Sequence, residues 1–244
     1  MPEGPSIVIL KEAVFLFKGK VVVGAEGNTK ALDLAIFENQ PINDFKSWGK
    51  HFLICFNDFT IRIHFMLFGS YRINESKQTP ARLSLKFDDG ELNFYACSVQ
   101  LIEGDLDILY DWTADVMNEH WDGEKARLKL RSHPNTLVCD ALLDQNIFAG
   151  VGNIIKNEVL FRIGLHPLST VGSIPDETLE DLISEAVNYS FDFLRWKKEF
   201  TLKKHWLAHT KTVCPRDNVP FIKKYLGKTK RRSFYCEICQ KYYV

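Results

Sequence analysis

The sequence predicts an α+β multidomain protein, and three observations carry that reading. Runs of alternating apolar and polar residues fill roughly the first hundred positions, as half-buried strands require. Apolar residues at helical spacing take over after Ser132-His133-Pro134. The stretch from Arg195 to Val244 combines paired cysteines with a strong positive charge. A chain of 244 residues supplies enough material for two compact domains.

The elements follow in order. A helix is expected from about Ser6 to Phe17. Phe52 to His64 gives two strand-like runs about an Asn57-Asp58 turn, with His64 closing the second. Leu83, Leu85 and Phe87 alternate, Asp89-Gly90 signals a hairpin, and Leu92, Phe94 and Ala96 resume the period of two. Strands this closely spaced predict an antiparallel β-sandwich. Residues 102–134 are acidic and mark the expected boundary, which gives a sheet domain at 1–125, a helical domain at 126–205 and a hairpin at 206–244. Leu137 to Phe148 reads as helical, Gly150-Val-Gly-Asn153 breaks it, and a second helix is expected from Asn153 to Phe161. Ser173-Ile-Pro-Asp176 offers a capping pair for a long helix whose apolar face runs from Leu179 to Leu194.

The formal net charge of zero hides a polarity. Residues 195–244 hold 14 Lys/Arg against 3 Asp/Glu, and the remaining 17 and 28 fall in 1–194, giving balances of +11 and −11. A basic tail of this kind suits a polyanion. No apolar run approaches a membrane span and no signal peptide is recognisable, so the expectation is a cytoplasmic protein without a membrane partner. Cys55, Cys97 and Cys139 lie in apolar segments and should pack as small hydrophobes.

Several residues carry chemistry. Met1 precedes a small residue, so its removal is expected, and Pro2 would then offer a secondary amine with a pKa of about 7.7–8. Such an amine attacks electrophilic carbon and forms an iminium. Glu3, beside it, is a candidate general acid or base. A Pro/Gly-rich start is otherwise an ordinary turn. Two glycines before Asn153 suit a phosphate at a helix N-terminus, or let two helices cross closely. In the tail, Cys214-x-x-Asp217 and Cys236-x-x-Cys239 stand 18 residues apart. Three thiolates and a carboxylate are an acceptable zinc set, with His205 and His209 near enough to substitute. The alternative is a hairpin that stands on packing alone. Between the pairs, Lys223, Lys224, Lys228, Lys230, Arg231 and Arg232 interleave with aromatic residues, a composition that suits a nucleic-acid backbone.

Pro2-Glu3-Gly4-Pro5, Trp48-Gly49-Lys50, His64-Phe-Met-Leu-Phe-Gly69, Leu142-Leu-Asp-Gln145, Gly150-Val-Gly-Asn153, Asn157-Glu158 and Arg231 to Gln240 occur in this order. Together they resemble the formamidopyrimidine-DNA glycosylase/endonuclease VIII family over nearly the whole chain, with the Leu-aromatic-Gly order nearer the endonuclease VIII branch.

The resemblance implies a β-sandwich domain, a helix-two-turn-helix domain and a zinc-finger-like β-hairpin. It implies a base-excision-repair glycosylase and abasic-site lyase acting on damaged double-stranded DNA as a monomer, nucleoid-associated if bacterial, with oxidised pyrimidines favoured. Pro2 would attack C1′ to form a Schiff base, Glu3 would assist ring opening and proton transfer, and elimination would cut on both sides of the sugar. Lys50, Asn153 and Arg231 would hold phosphates, with Arg232 competing for the last role, and His64 would lie on the DNA side. Met66, Leu67 and Phe68 would fill the gap left by the everted nucleotide. Cys214, Asp217, Cys236 and Cys239 would hold a structural zinc, Asp217 standing where the family has cysteine. A non-catalytic DNA-damage-binding protein of the same fold is the alternative.

Overall fold

The computed structural model describes residues 2–244, so the fate of Met1 lies outside the described residues. Contacts divide the chain into a unit that ends at Tyr110 and a unit Asp111–Val244. The division precedes the boundary expected at residue 125. Val116 and Trp121, from the acidic stretch, already pack with the helical core. The hairpin clusters with the helical unit rather than standing as a third body.

The first unit begins with helix α1 (Gly4–Ala13), which has Glu3 at its N-cap and a proline in its first turn, where a missing N–H costs nothing. The helix stops short of the expected Phe17. Residues Phe15–Phe17 tighten into a 3-10 turn that buries Phe17 and leaves Phe15 and Leu16 exposed. Six strands follow: β1 (Gly24–Glu26), β2 (Asp44–Trp48), β3 (His51–Cys55), β4 (Thr60–Ile73), β5 (Leu83–Phe87) and β6 (Gly90–Ile102). They pair antiparallel as one continuous sheet in the order β1-β5-β6-β4-β3-β2. One face of β3 and β4 presents Phe52, Ile54, Ile61 and Ile63 to a core shared with Ile7 and Leu10 of α1. Each such side chain, fully buried, contributes about 1.5–3 kcal/mol.

β4 does not end at His64. It runs on through a bulge in which Phe65 pairs with Cys97 and Ser70 with Tyr95, so residues 66–69 oppose Ala96 alone. Ala96 adopts φ 48°, and the phase of β6 flips there. Ala96, expected to face inward with Leu92 and Phe94, is exposed, and Cys97 and Val99 turn into the core instead. An odd number of residues inserted into a period of two reverses every later side chain.

A short helix α2 (Leu106–Leu109) closes the first unit, and the second is built on α3 (Gly123–Arg131), α4 (Val138–Ala141), α5 (Asn153–Arg162) and α6 (Asp176–Lys198), followed by the hairpin β7 (Ile222–Leu226) and β8 (Arg231–Tyr235). α3 lies inside the acidic stretch, and Asp122 caps it by accepting from Lys125 N at 2.9 Å. The helix expected over Leu137–Phe148 is confined to α4. Beyond it, Gln145 replaces helical bonds with its own: Oε1 accepts from Gly150 N at 3.1 Å, and Nε2 donates to the Leu143 and Val151 carbonyls at 2.9 and 3.1 Å. Gly150, at φ 100°, makes the turn that delivers the chain to α5. At α6 the expected capping pair is not formed. Pro175 occupies the N-cap, and Ser173 Oγ accepts from Thr170 Oγ1 at 2.8 Å. No helix among the described residues is long and apolar enough to cross a membrane.

Candidate functional site

In the first unit, α1 packs on β2 and β3. The Pro2-Glu3 step leads directly into this helix, and the turn connecting the two strands carries Lys50. Pro2 is half-buried, and Glu3 is only 3% exposed. Gly49 takes φ 53° in the two-residue Gly49-Lys50 turn between Trp48 and His51, which pair with each other. Glycine at the first central position is what a type II′ hairpin requires.

His51 and His64 pair across β3 and β4, with rings 5.4 Å apart and edge to face. Burial first, then Arg62, His64 and Lys50, lowers the His51 pKa to about 4. Burial, Lys50 and Arg62 likewise lower that of His64. His51 Nδ1 lies 3.3 Å from the Tyr110 hydroxyl. Sequence reasoning missed His51, Arg62 and Tyr110. The adjacency of His51 to Lys50 was the available signal, but only strand register brings Arg62 and His64 beside it.

Met66, Leu67 and Phe68 are 54, 55 and 84% exposed. They do not stand at a strand end but on the mid-strand bulge. Gly69 closes the bulge because a Cβ there would meet Phe65 and the Ala96 carbonyl at 2.8–2.9 Å. Three adjacent apolar side chains are thus held out of the core by backbone pairing.

In the second unit, α5 meets β8 through a buried polar seam. Asn153 Nδ2 and Asn157 Nδ2 donate to the Arg232 carbonyl at 3.0 and 3.2 Å. Asn157 Oδ1 accepts from Phe234 N at 3.0 Å, and the buried Lys156 ammonium donates to Ser233 Oγ at 2.8 Å. Asn153 Oδ1 is buried with no hydrogen-bond partner among the described residues. Glu158, fully buried, accepts from the backbone N–H groups of Leu207, Ala208 and His209 at 2.8, 3.0 and 2.7 Å. The Asn157-Glu158 step is therefore architectural, tying α5 to the hairpin and to the segment before it.

The two arginines differ. Arg232 donates to the Tyr225 hydroxyl at 2.6 Å and lies over its ring. Arg231 pairs through its backbone with Leu226, and its guanidinium has no hydrogen bond or ion pair among the described residues. The hairpin tip is fixed from α4, where the Asp140 carboxylate accepts from Lys228 N at 2.9 Å and from Thr229 N and Oγ1 at 3.3 and 3.2 Å.

Cys214, Asp217, Cys236 and Cys239 present four ligand atoms within 4.8 Å of one another. Cys214 Sγ lies 3.7 Å from Cys239 Sγ, and Asp217 Oδ2 lies 3.4 and 3.2 Å from Cys214 and Cys236. A tetrahedral zinc with sulfur at about 2.3 Å and oxygen at about 2.0 Å spaces its ligands about 3.5–3.8 Å apart, so the set fits such an ion. Thiol hydrogen bonds from Cys239 and Cys236 lower the Asp217 pKa. Neither nearby histidine joins the cluster. His205 stacks on Trp196 at 4.1 Å, and His209 packs on Phe234 and Trp206.

The unit with the proline-led helix on its antiparallel sheet and the helical unit each match a domain of one enzyme family. The formamidopyrimidine-DNA glycosylase N-terminal domain matches residues 1–97, and the H2TH domain of the same enzymes matches residues 112–191. The chain belongs to the formamidopyrimidine-DNA glycosylase/endonuclease VIII family.

Among its relatives, endonuclease 8-like 3 of Bos taurus is 29% identical over 85% of this chain and 36% of its own length. The chain thus spans about a third of the length of the endonuclease 8-like 3 relatives it matches. The DNA-(apurinic or apyrimidinic site) lyase Nei2 of Mycolicibacterium smegmatis is 25% identical over 72% of each chain. The Lactococcus lactis formamidopyrimidine-DNA glycosylase, solved non-covalently bound to DNA with an AP site, superposes with a TM-score of 0.86. It shares 20% identity over 98% of this chain and 99% of its own.

Proposed function

We propose that this protein is a DNA glycosylase with associated abasic-site lyase activity on damaged double-stranded DNA. The reading is carried by the half-buried Pro2 one residue ahead of a buried Glu3 at the N-cap of α1, within a chain whose two halves both match this family. The names of the relatives, endonuclease 8-like proteins and an abasic-site lyase, agree with it.

In the proposed reaction, the unprotonated Pro2 nitrogen forms a bond to C1′ while the bond from C1′ to the base breaks; the base leaves with the bonding pair and is neutralised by the proton that the alkylated Pro2 nitrogen sheds. The positive end of the α1 dipole disfavours the protonated amine and so raises the nucleophilic fraction. Glu3 protonates O4′ as the ring opens, leaving an iminium between Pro2 and the sugar. Loss of a C2′ proton then expels the 3′ phosphate, and a second elimination expels the 5′ phosphate. Arg231 holds a phosphate flanking the lesion, because Arg232 is engaged with Tyr225. Exposed Met66, Leu67 and Phe68 occupy the gap in the stack. The Leu67-Phe68-Gly69 order favours oxidised pyrimidines. Zinc in the three-thiolate, one-carboxylate site would cross-link the hairpin and take no part in the chemistry.

Borohydride trapping tests the reading. The processed protein, incubated with a duplex carrying an abasic site, should give a covalent adduct that is lost in Pro2→Gly. Tight binding of damaged DNA with no adduct would replace the enzyme with a damage-binding protein.

A further inference from the structure

The loop at the tip of the hairpin is built around a carboxylate that the proposed chemistry does not use. Residues 227–230 join β7 to β8, and Leu226 pairs with Arg231 to close the loop. Gly227 and Lys230 adopt φ 70° and 47°, and Lys230 N donates to the Gly227 carbonyl at 3.3 Å. This backbone turns the Lys228 and Thr229 N–H groups and the Thr229 hydroxyl toward one point. The Asp140 carboxylate fills that point, with Oδ2 accepting from Lys228 N and Oδ1 from both Thr229 donors. Successive backbone N–H groups arranged in this way form an anion nest. Glycine at 227 leaves the room, since a Cβ there would overlap both Asp140 oxygens. Asp140 itself stands on α4, whose Val138, Cys139 and Ala141 are buried in the helical core. Farther along β8, Asn153 and Asn157 of α5 pin the Arg232 carbonyl. Arg231 lies in the short span between these two clamps.

We propose that Asp140 is a positioning residue for DNA binding: by occupying the nest it sets the hairpin tip so that the Arg231 guanidinium meets a phosphate. The inference rests on the reading of Arg231 given above and adds to it a residue from a different element. Because the nest is filled from within the chain, the tip grips DNA with a side chain rather than with its own N–H groups. Without the carboxylate those N–H groups turn to water, and the loop between Leu226 and Arg231 loses its hold on α4. Arg231 must then be ordered as the duplex binds, and that ordering costs affinity. Charge alone predicts the opposite sign. Asp140 is an acid beside a basic hairpin, so removing it should strengthen attraction to a polyanion. The direction of the change therefore separates positioning from electrostatics.

The test is fluorescence anisotropy of the full chain with a labelled duplex carrying a tetrahydrofuran abasic analogue, measured across a salt series. Asp140→Ala should bind about tenfold more weakly, with the slope of log affinity against log salt shallower by about 0.9 as one phosphate contact is lost. Asp140→Asn keeps an oxygen for Thr229 and should fall between Asp140→Ala and the natural protein. Gly227→Ala retains the acid but expels it from the nest, and should weaken binding in the same direction. Adding Asp140→Ala to Arg231→Ala should bring no further loss, since the contact it positions is already gone. Strand cleavage in a single turnover at saturating abasic duplex should stay at the natural rate in Asp140→Ala, because only binding is affected. Unchanged or tighter binding by Asp140→Ala overturns the proposal. So does a double variant weaker than Arg231→Ala alone, or slower cleavage at saturation. Each of these leaves the phosphate contact of Arg231 intact. If Arg231→Ala itself binds as the natural protein does, the role of Arg231 falls and the proposal falls with it.

Discussion

Replacing Glu158 with glutamine changes one atom in the middle of α5 and should cost more than most core truncations. Its carboxylate accepts three backbone N–H bonds, two at Oε1 and one at Oε2, and no part of the residue reaches solvent. In Glu158→Gln the amide oxygen can keep Ala208 and His209, but its NH2 then faces the Leu207 N–H, donor against donor. One charge-assisted bond is lost outright, worth about 1.5–3 kcal/mol, and the remaining two become neutral and weaker. A total near 3–4 kcal/mol is a large fraction of a typical folding stability of about 5–15 kcal/mol. For a chain of this size the melting temperature should fall by about 6–16 °C at pH 7, as read by calorimetry or near-ultraviolet dichroism. Amide exchange at Leu207, Ala208 and His209 should accelerate before the rest of the unit. A fall of less than about 2 °C would show that these bonds are not what ties α5 to the hairpin segment.

Other outcomes follow from the same geometry. Arg231→Ala should weaken duplex binding and reduce the slope of log affinity against log salt by about 0.9, whereas Arg232→Ala should leave the slope unchanged. Equal effects would refute the division of labour read from Tyr225. Metal analysis of freshly purified protein should find one zinc per chain. Strong chelation should release it and lower the melting temperature, and Asp217→Cys should hold the ion at least as tightly as the natural residue. Metal-free protein with unchanged stability would mean that the hairpin stands on packing. Burial, followed by Lys156, lowers the His209 pKa to about 4, so the unfolded chain binds a proton that the folded chain refuses. That contribution is complete above the unfolded value of about 6.5 and drains away as pH falls from there toward 4. His209→Gln should therefore flatten the acid limb of stability against pH, and an unaltered limb would assign the loss to other groups.

How far each element was legible depends on how local its cause is. α5 was readable because Gly150, Gly152 and Asn153 punctuate its start, and the paired β strands because period-two alternation is written residue by residue. The helix expected over Leu137–Phe148 failed because Gln145, a side chain, outcompetes the helical bonds. Ala96 was put on the wrong face because three extra residues in a partner strand leave no mark in the sequence of β6. Among the site residues, the finger cysteines and Asp217 were found from spacing alone, and the structure brings their ligand atoms together. His51 and Arg62 were not found, since nothing in linear order relates them to His64.

By itself, then, the sequence determined the two kinds of secondary structure, the grouping of Cys214, Asp217, Cys236 and Cys239, the charge polarity and the proline-led start. Each depends on residue type and short-range spacing, which a chain carries before it folds. Only the tertiary structure decided which arginine keeps an uncommitted guanidinium, that Glu158 serves the backbone of a distant segment, and that two histidines share one row of a sheet. Those are consequences of strand register and of side chains reaching backbone groups dozens of residues away. Such pairings exist only once burial has removed water as the competing partner.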